Sequence, residues 1–122
     1  MRDPNNLNLV RKFVVPNYAT DEYKPAQFKL EQNYPNPFNP VTTIEFNLME
    51  RAQVTLKVYN VIGQEVMTLL NNEDMDYGRQ GVQFNAGNLA SGIYFYRMDA
   101  TTVDEKGVRN TFSNVKKMML VK

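Results

Sequence analysis

A chain of 122 residues, 43% hydrophobic and 22% charged, has room for one domain with a single core and lies far from the composition of disordered segments. Its net charge of +1 supplies no field to hold a polyanion, which argues against nucleic-acid binding. The lack of cysteine and histidine removes disulfides, thiolate metal sites, the commonest general base and any Ser–His nucleophile pair, so composition argues against an enzyme, a metal and a cofactor.

No apolar run approaches the roughly 20 residues that span a bilayer. Arg2, Asp3 and Pro4 follow Met1 with no apolar run behind them, so an exported form is expected to be part of a longer precursor. Residues 1–27 are rich in Asn, Pro and charge and read as a linker or extended arm. Leu7, Leu9 and the patch Phe13, Val14, Val15 could add one strand to a sheet, the chain's own or a neighbour's; a flexible tether is the simpler reading.

From Phe28 the pattern becomes short β-type runs broken by turn signals, the layout of a sandwich occupying residues 28–122. Ile44, Phe46 and Leu48 alternate with polar residues, as do Val54, Leu56 and Val58, which gives two half-buried strands. Asn60-Val61-Ile62-Gly63 has the residue preferences of a type I turn and predicts a hairpin into a third strand over residues 64–70. In that run Ile62, Val66 and Leu69 also fit one face of a helix, and Gly63 and the short length favour strand. Residues 71–81 read as a polar, acidic loop and Val82 with Phe84 as a short strand. Gly87, Asn88, Ser91 and Gly92 mark a turn before a strand in which Tyr94, Tyr96 and Met98 share a face. After a turn at Asp104-Glu105-Lys106-Gly107, residues 111–121 form the last strand. From Lys106 onward there are five cations and no side-chain carboxylate.

Tyr34-Pro35-Asn36-Pro37-Phe38-Asn39-Pro40 is the most unusual stretch. Its prolines cannot donate to a ladder and hold Tyr34, Asn36 and Asn39 out of the helical region, so it reads as a stiff corner, with a polyproline-type ligand as the sharper alternative. Asp74, Asp76, Asp99, Asp104 and Glu105 match no calcium-loop spacing and read as solvated carboxylates. Tyr59, Tyr94 and Tyr96 could stack sugar rings, but alternation with Phe95 and Arg97 assigns Tyr94 and Tyr96 to the core.

Four stretches occur together and in order. They are Leu30-Glu31-Gln32-Asn33 running into the proline stretch and followed by Thr42, Ile44 and Phe46; Val58-Tyr59-Asn60-Val61-Ile62-Gly63-Gln64-Glu65-Val66; Leu89-Ala90-Ser91-Gly92-Ile93-Tyr94-Phe95-Tyr96; and Lys117-Met118-Met119-Leu120-Val121-Lys122. Over residues 28–122 this set resembles the C-terminal type A sorting domain of the type IX (Por) secretion system. Residues 58–96 are also similar to the Ig-like domain of flagellar hook-capping proteins. The resemblance implies an all-β, Ig-like or fibronectin-like antiparallel sandwich of about seven strands with an extended N-terminal arm. It implies a non-catalytic sorting and attachment module at the C-terminus of secreted proteins of Bacteroidetes-type bacteria. Its partners would be the outer-membrane secretion machinery and its sorting protease, with surface lipopolysaccharide where cargo is anchored. Its location would be secreted or at the cell surface, after passage through the periplasm. The acidic stretch at residues 71–79 is longer than the family's compact connection, which leaves the mapping of the third and fourth strands open.

On that resemblance the signature and recognition residues are Asn36, Pro37, Asn39, Pro40, Gly63, Gln64, Ser91, Gly92, Tyr94, Lys116, Lys117 and Lys122. Turn geometry alone accounts for Gly63 and Gly92, and a charged edge that resists aggregation accounts equally well for the lysines. Two other classes stay open. One is an extracellular structural subunit that self-associates into a filament by strand addition through residues 1–27, and the other is a carbohydrate-binding module using Tyr59.

Overall fold

The period-2 patterns become strands whose alternate side chains are fully covered. In β3 (Val41–Leu48) Thr42, Ile44, Phe46 and Leu48 point inward, and in β4 (Ala52–Tyr59) Ala52, Val54, Leu56 and Val58 do so. The computed structural model describes residues 25–122 and the backbone of residues 10–14. Its other strands are β1 (Val10–Val14), β2 (Lys29–Leu30), β5 (Glu65–Met75), β6 (Gly78–Asn85), β7 (Gly92–Val103) and β8 (Arg109–Leu120). They form two four-stranded antiparallel sheets, in the orders β1-β6-β3-β2 and β5-β4-β7-β8. The all-β antiparallel sandwich expected from the sequence is the fold.

The core lies between the sheets. Leu30, Ile44, Phe46, Val82 and Phe84 come from the first sheet, and Val54, Leu56, Val58, Tyr96, Met98, Met118 and Leu120 from the second, each 1% exposed or less. Burying one large apolar side chain of this kind contributes about 1.5–3 kcal/mol, so the facing rows supply the main drive to fold. Tyr94 and Tyr96 belong to this core, which withdraws them from any sugar-stacking role.

The acidic stretch departs from the sequence reading. β5 continues to Met75 and β6 begins at Gly78, so the expected loop over residues 71–81 shrinks to Asp76 and Tyr77. A bulge explains the difference: Val54 faces Glu73 while Leu56 faces Leu70, leaving Asn71 and Asn72 together opposite Thr55. Asn72 takes a positive φ of 51° and donates its N–H to Thr55 Oγ1 at 3.1 Å. A second shift follows, since Leu56 faces Leu70 while Lys57 faces Thr68; Leu69 is passed over, and Leu69 and Leu70 are both buried. Polar composition here marks the exposed edge of a sheet. The helical alternative for residues 62–69 is not adopted.

Two hairpin turns form where the sequence puts them. Gly63 N–H bonds Asn60 C=O at 3.0 Å with Gly63 at φ +86°, and the Asn60 carboxamide oxygen accepts from the N–H groups of Ile62 and Gln64. Gly107 N–H likewise bonds Asp104 C=O at 3.0 Å.

At the other end of the chain, β1 lies antiparallel on β6, with Val10 opposite Phe84 and Val14 opposite Gln80. It covers what is otherwise the open edge of the first sheet. Leu7, Leu9 and Val15, proposed for the same strand, lie outside the described residues.

Candidate functional site

One end of the sandwich collects the proline stretch, the β4–β5 hairpin, the turn before β7 and the end of β8. Register fixes this meeting: Val41 faces Asn85, Tyr59 faces Phe95, and Gly92 faces Leu120. Phe38 anchors the proline stretch. Its ring is 2% exposed and lies 6.3 Å from that of Phe84, while its N–H bonds Met119 C=O and its C=O accepts from Val121 N–H, both at 2.9 Å. Asn36 Oδ1 accepts from Met119 N–H at 2.9 Å, and Gln32 Nε2 donates to Lys117 C=O at 2.7 Å. The stretch therefore lies along the outer edge of β8 and satisfies its last backbone groups. Prolines suit this place because the stretch needs few donors of its own.

Behind it is a buried polar knot. Tyr96 sits opposite Lys116 on β7, and its hydroxyl donates to Glu31 C=O while accepting from Asn33 N–H, both at 2.7 Å. The Asn33 side chain, 2% exposed, donates to Pro35 C=O at 3.1 Å and to Thr42 Oγ1 at 2.9 Å. Thr42 in turn donates to Pro35 C=O at 2.9 Å. No buried side-chain polar atom among the described residues is left without a partner. Burial pushes the Tyr96 phenol above its ordinary range, with the Asn33 N–H opposing and the Glu31 charge adding to the shift.

The proposed signature residues map onto this end with different jobs. Pro40 C=O accepts from Ala86 N–H at 2.8 Å, and Asn39 beside it is exposed. Ser91 Oγ accepts from Lys122 N–H at 3.0 Å, Lys122 Nζ donates to Gly87 C=O at 2.7 Å, and the Tyr94 hydroxyl donates to Ala90 C=O at 2.6 Å. Gly92 opens β7 at φ +153°, a value that strains any residue with a Cβ. Gln64 receives the Asn60 side-chain amide at 2.9 Å, so Gly63 and Gln64 shape the hairpin, away from the β8 edge. Lys117 is exposed and Lys116 half-buried on the inward face of β8. Asn36, Pro37, Ile93, Lys117 and Met119 line a depression of about 200 Å³.

Asn33, Thr42 and Gln32 hold this end together without having been singled out as site residues. An Asn in a proline-rich loop reads as solvated; here its N–H meets Tyr96 and its side chain meets Thr42 and Pro35. Three of the five carboxylates weighed for calcium have other work. Asp74 pairs with Arg51 at 2.6 Å, Asp99 with Arg97 at 3.1 Å, and Asp104 accepts from Lys106 N–H and Val108 N–H. Among the described residues no cluster of three metal-ligating side chains occurs.

A family model described as the secretion system C-terminal sorting domain matches residues 32–108, which include the polar knot apart from Glu31 and the whole proline stretch. The chain belongs to that family. The sorting domain is thus a type IX secretion signal of a secreted or cell-surface protein, in a family without catalytic activity of its own. The match stops one residue short of β8. No curated protein matches the chain. Among solved structures, the sorting domain is similar to CopC from Methylosinus trichosporium OB3b, at 11% identity and a TM-score of 0.48, covering 77% of this chain and 93% of that one.

Replacing Tyr96 with Phe removes the hydroxyl and leaves Asn33 N–H and Glu31 C=O unpaired. We expect a loss of about 1–3 kcal/mol in urea unfolding at neutral pH. In the unfolded chain the phenol loses its proton near pH 10, whereas the buried one keeps it. The unfolded state then binds fewer protons, so native stability falls as pH rises past about 10. Tyr96→Phe should remove that part of the alkaline decline.

Proposed function

We propose that the end built by residues 31–40, the turn at Ser91 and Gly92 and the last residues of β8 is the face that the outer-membrane type IX machinery reads. In this reading the domain conducts a secreted cargo through the periplasm to the surface. There the sorting protease removes it, and cargo is released or joined to surface lipopolysaccharide. Recognition would rest on shape and charge: the fixed proline stretch, Asn36, Pro37, Asn39 and Pro40, beside the cations Lys116, Lys117 and Lys122. The observation that carries the reading is the lock between residues 32–38 and the outer edge of β8, which makes one rigid feature from segments about 80 positions apart in the chain. A preformed feature of this kind can be read without the cost of ordering a loop on binding.

The test is a fluorescent reporter carrying a signal peptide and residues 28–122, produced in a host competent for type IX secretion. It should reach the surface, and Lys116→Glu with Lys117→Glu and Lys122→Glu should hold it in the periplasm while circular dichroism shows an intact sandwich. Surface delivery that survives removal of the whole segment contradicts the reading.

A second reading is an extracellular structural subunit that polymerises by strand addition through its N-terminal arm. One observation favours it: the Val10–Val14 strand covers an edge of β6 that the same strand of a neighbouring copy would fit in the same register. Deleting residues 1–27 should then abolish polymers on size-exclusion chromatography and leave a folded monomer. Polymers that persist without the arm refute it.

A further inference from the structure

β8 closes its sheet, with β7 along one side and, among the described residues, no strand along the other. The β7–β8 register runs without a shift from Gly92 opposite Leu120 to Val103 opposite Arg109, so successive peptide groups alternate strictly in direction. Lys117, Met119 and Val121 turn their backbone groups away from β7, since these are the groups that Gln32, Asn36 and Phe38 engage. The same alternation turns the N–H and C=O of Thr111 and Ser113, and the C=O of Val115, outward. There the described residues offer no partner, while Val115 N–H is taken by the Asn114 side chain at 2.8 Å.

Exposed edges are ordinarily blunted by proline, bulges or charge. β5, at the opposite edge of this sheet, has its bulge at Asn71 and Asn72. Residues 110–115 of β8 contain no proline, glycine or charged residue. Cations flank them instead, with Arg109 before and Lys116 and Lys117 after. Among the described residues none of these three has a carboxylate partner, whereas Lys29, Arg51, Lys57 and Arg97 are each paired. Beside the stretch, Val115 is half-exposed next to Phe95, Tyr59 and Arg97 around a depression of about 400 Å³.

We propose that residues 110–115 of β8 accept an acidic, extended peptide segment as an added strand. Its backbone would pair with the outward groups of Thr111, Ser113 and Val115, and its carboxylates would meet Arg109, Lys116 and Lys117. An apolar side chain of the segment would enter the depression beside Val115. Charge decides against a second copy of this chain as the occupant. Two β8 strands paired about a two-fold axis at Ser113 would set Arg109 opposite Lys117, a like-charge contact that destabilises a ladder. The acidic segment is the partner class for the export reading above; only its identity as an export component rests on that reading, and strand addition does not.

The experiment is an amide NMR titration of the full chain with two capped peptides, Asp-Glu-Val-Ser-Thr-Ser-Thr-Ser-Asp, which laid antiparallel sets its acids against Lys117, Lys116 and Arg109 and its valine against Val115, and its counterpart with Lys at every acidic position. The acidic peptide should bind saturably, shift amides of β8 first, and weaken as salt rises. The lysine peptide should bind at least about tenfold more weakly, and Arg109→Glu with Lys117→Glu should invert the preference. Ser113→Pro should also abolish binding, because it removes an outward donor and leaves the β7 ladder intact. Should that variant not fold, the charge-reversal pair carries the test. Equal binding of both peptides, shifts away from β8, or no binding overturns the proposal. Since no export is measured, such a result leaves the sorting reading standing, and failure of reporter export leaves strand addition standing.

Discussion

The hydroxyl of Tyr96 reaches out of one sheet's core to the backbone of the segment that leads into the other. It donates to Glu31 C=O and accepts from Asn33 N–H, and both bonds are short at 2.7 Å. Buried backbone groups left unpaired cost about as much as a lost hydrogen bond each, so one side chain here covers two such liabilities. Asn33 then has a fixed position from which to hold Pro35 and Thr42, and the proline stretch is held at its start. Phe38, in the core beside Phe84, holds it further along. Between these two anchors, Asn36 and the Phe38 backbone come to lie along the end of β8.

The two edges of the β5-β4-β7-β8 sheet are finished in different ways. β5 is bulged and acidic, with Lys57 holding Glu65 and Arg51 holding Asp74; the Thr68 hydroxyl and the Lys57 and Arg51 charges keep both carboxyls below their usual range. These pairs are exposed and screened by water, and they shape the edge more than they stabilise it. β8 has a regular ladder, a covered end and a middle that the described residues leave uncovered, with cations at either side. A chain of net charge +1 thus presents strong local charge on opposite edges of a single sheet.

Much of this was legible in the sequence wherever local pattern and tertiary environment agree. Ile44 to Leu48 and Val54 to Val58 alternate because each strand has one wet face and one dry face, and the turns at Asn60 and Asp104 carry the side-chain caps their residue types favour. The reading failed at residues 71–81, where an Asn-Asn bulge and exposed carboxylates on an edge strand have the composition of a loop. Nor is the burial of Asn33 legible in the sequence, because its N–H meets Tyr96, 63 positions away, and its side chain meets Thr42, with no local pattern to mark either contact. The proline stretch was recognisable as a stiff corner, but its attachment to β8 was not, since the bonds run from side-chain amides and one backbone residue with no periodic signal.

If the polar knot and the proline stretch form one unit, they should open together. Native-state hydrogen exchange of the amides of Asn33, Phe38, Met119 and Val121 in the wild-type chain and in Tyr96→Phe measures this directly. All four should lose protection by a similar factor in the variant, while Val54 and Val58 on β4 keep more of theirs. Loss confined to Asn33, with Phe38, Met119 and Val121 as protected as before, would contradict it and would make the attachment of the proline stretch to β8 independent of Tyr96.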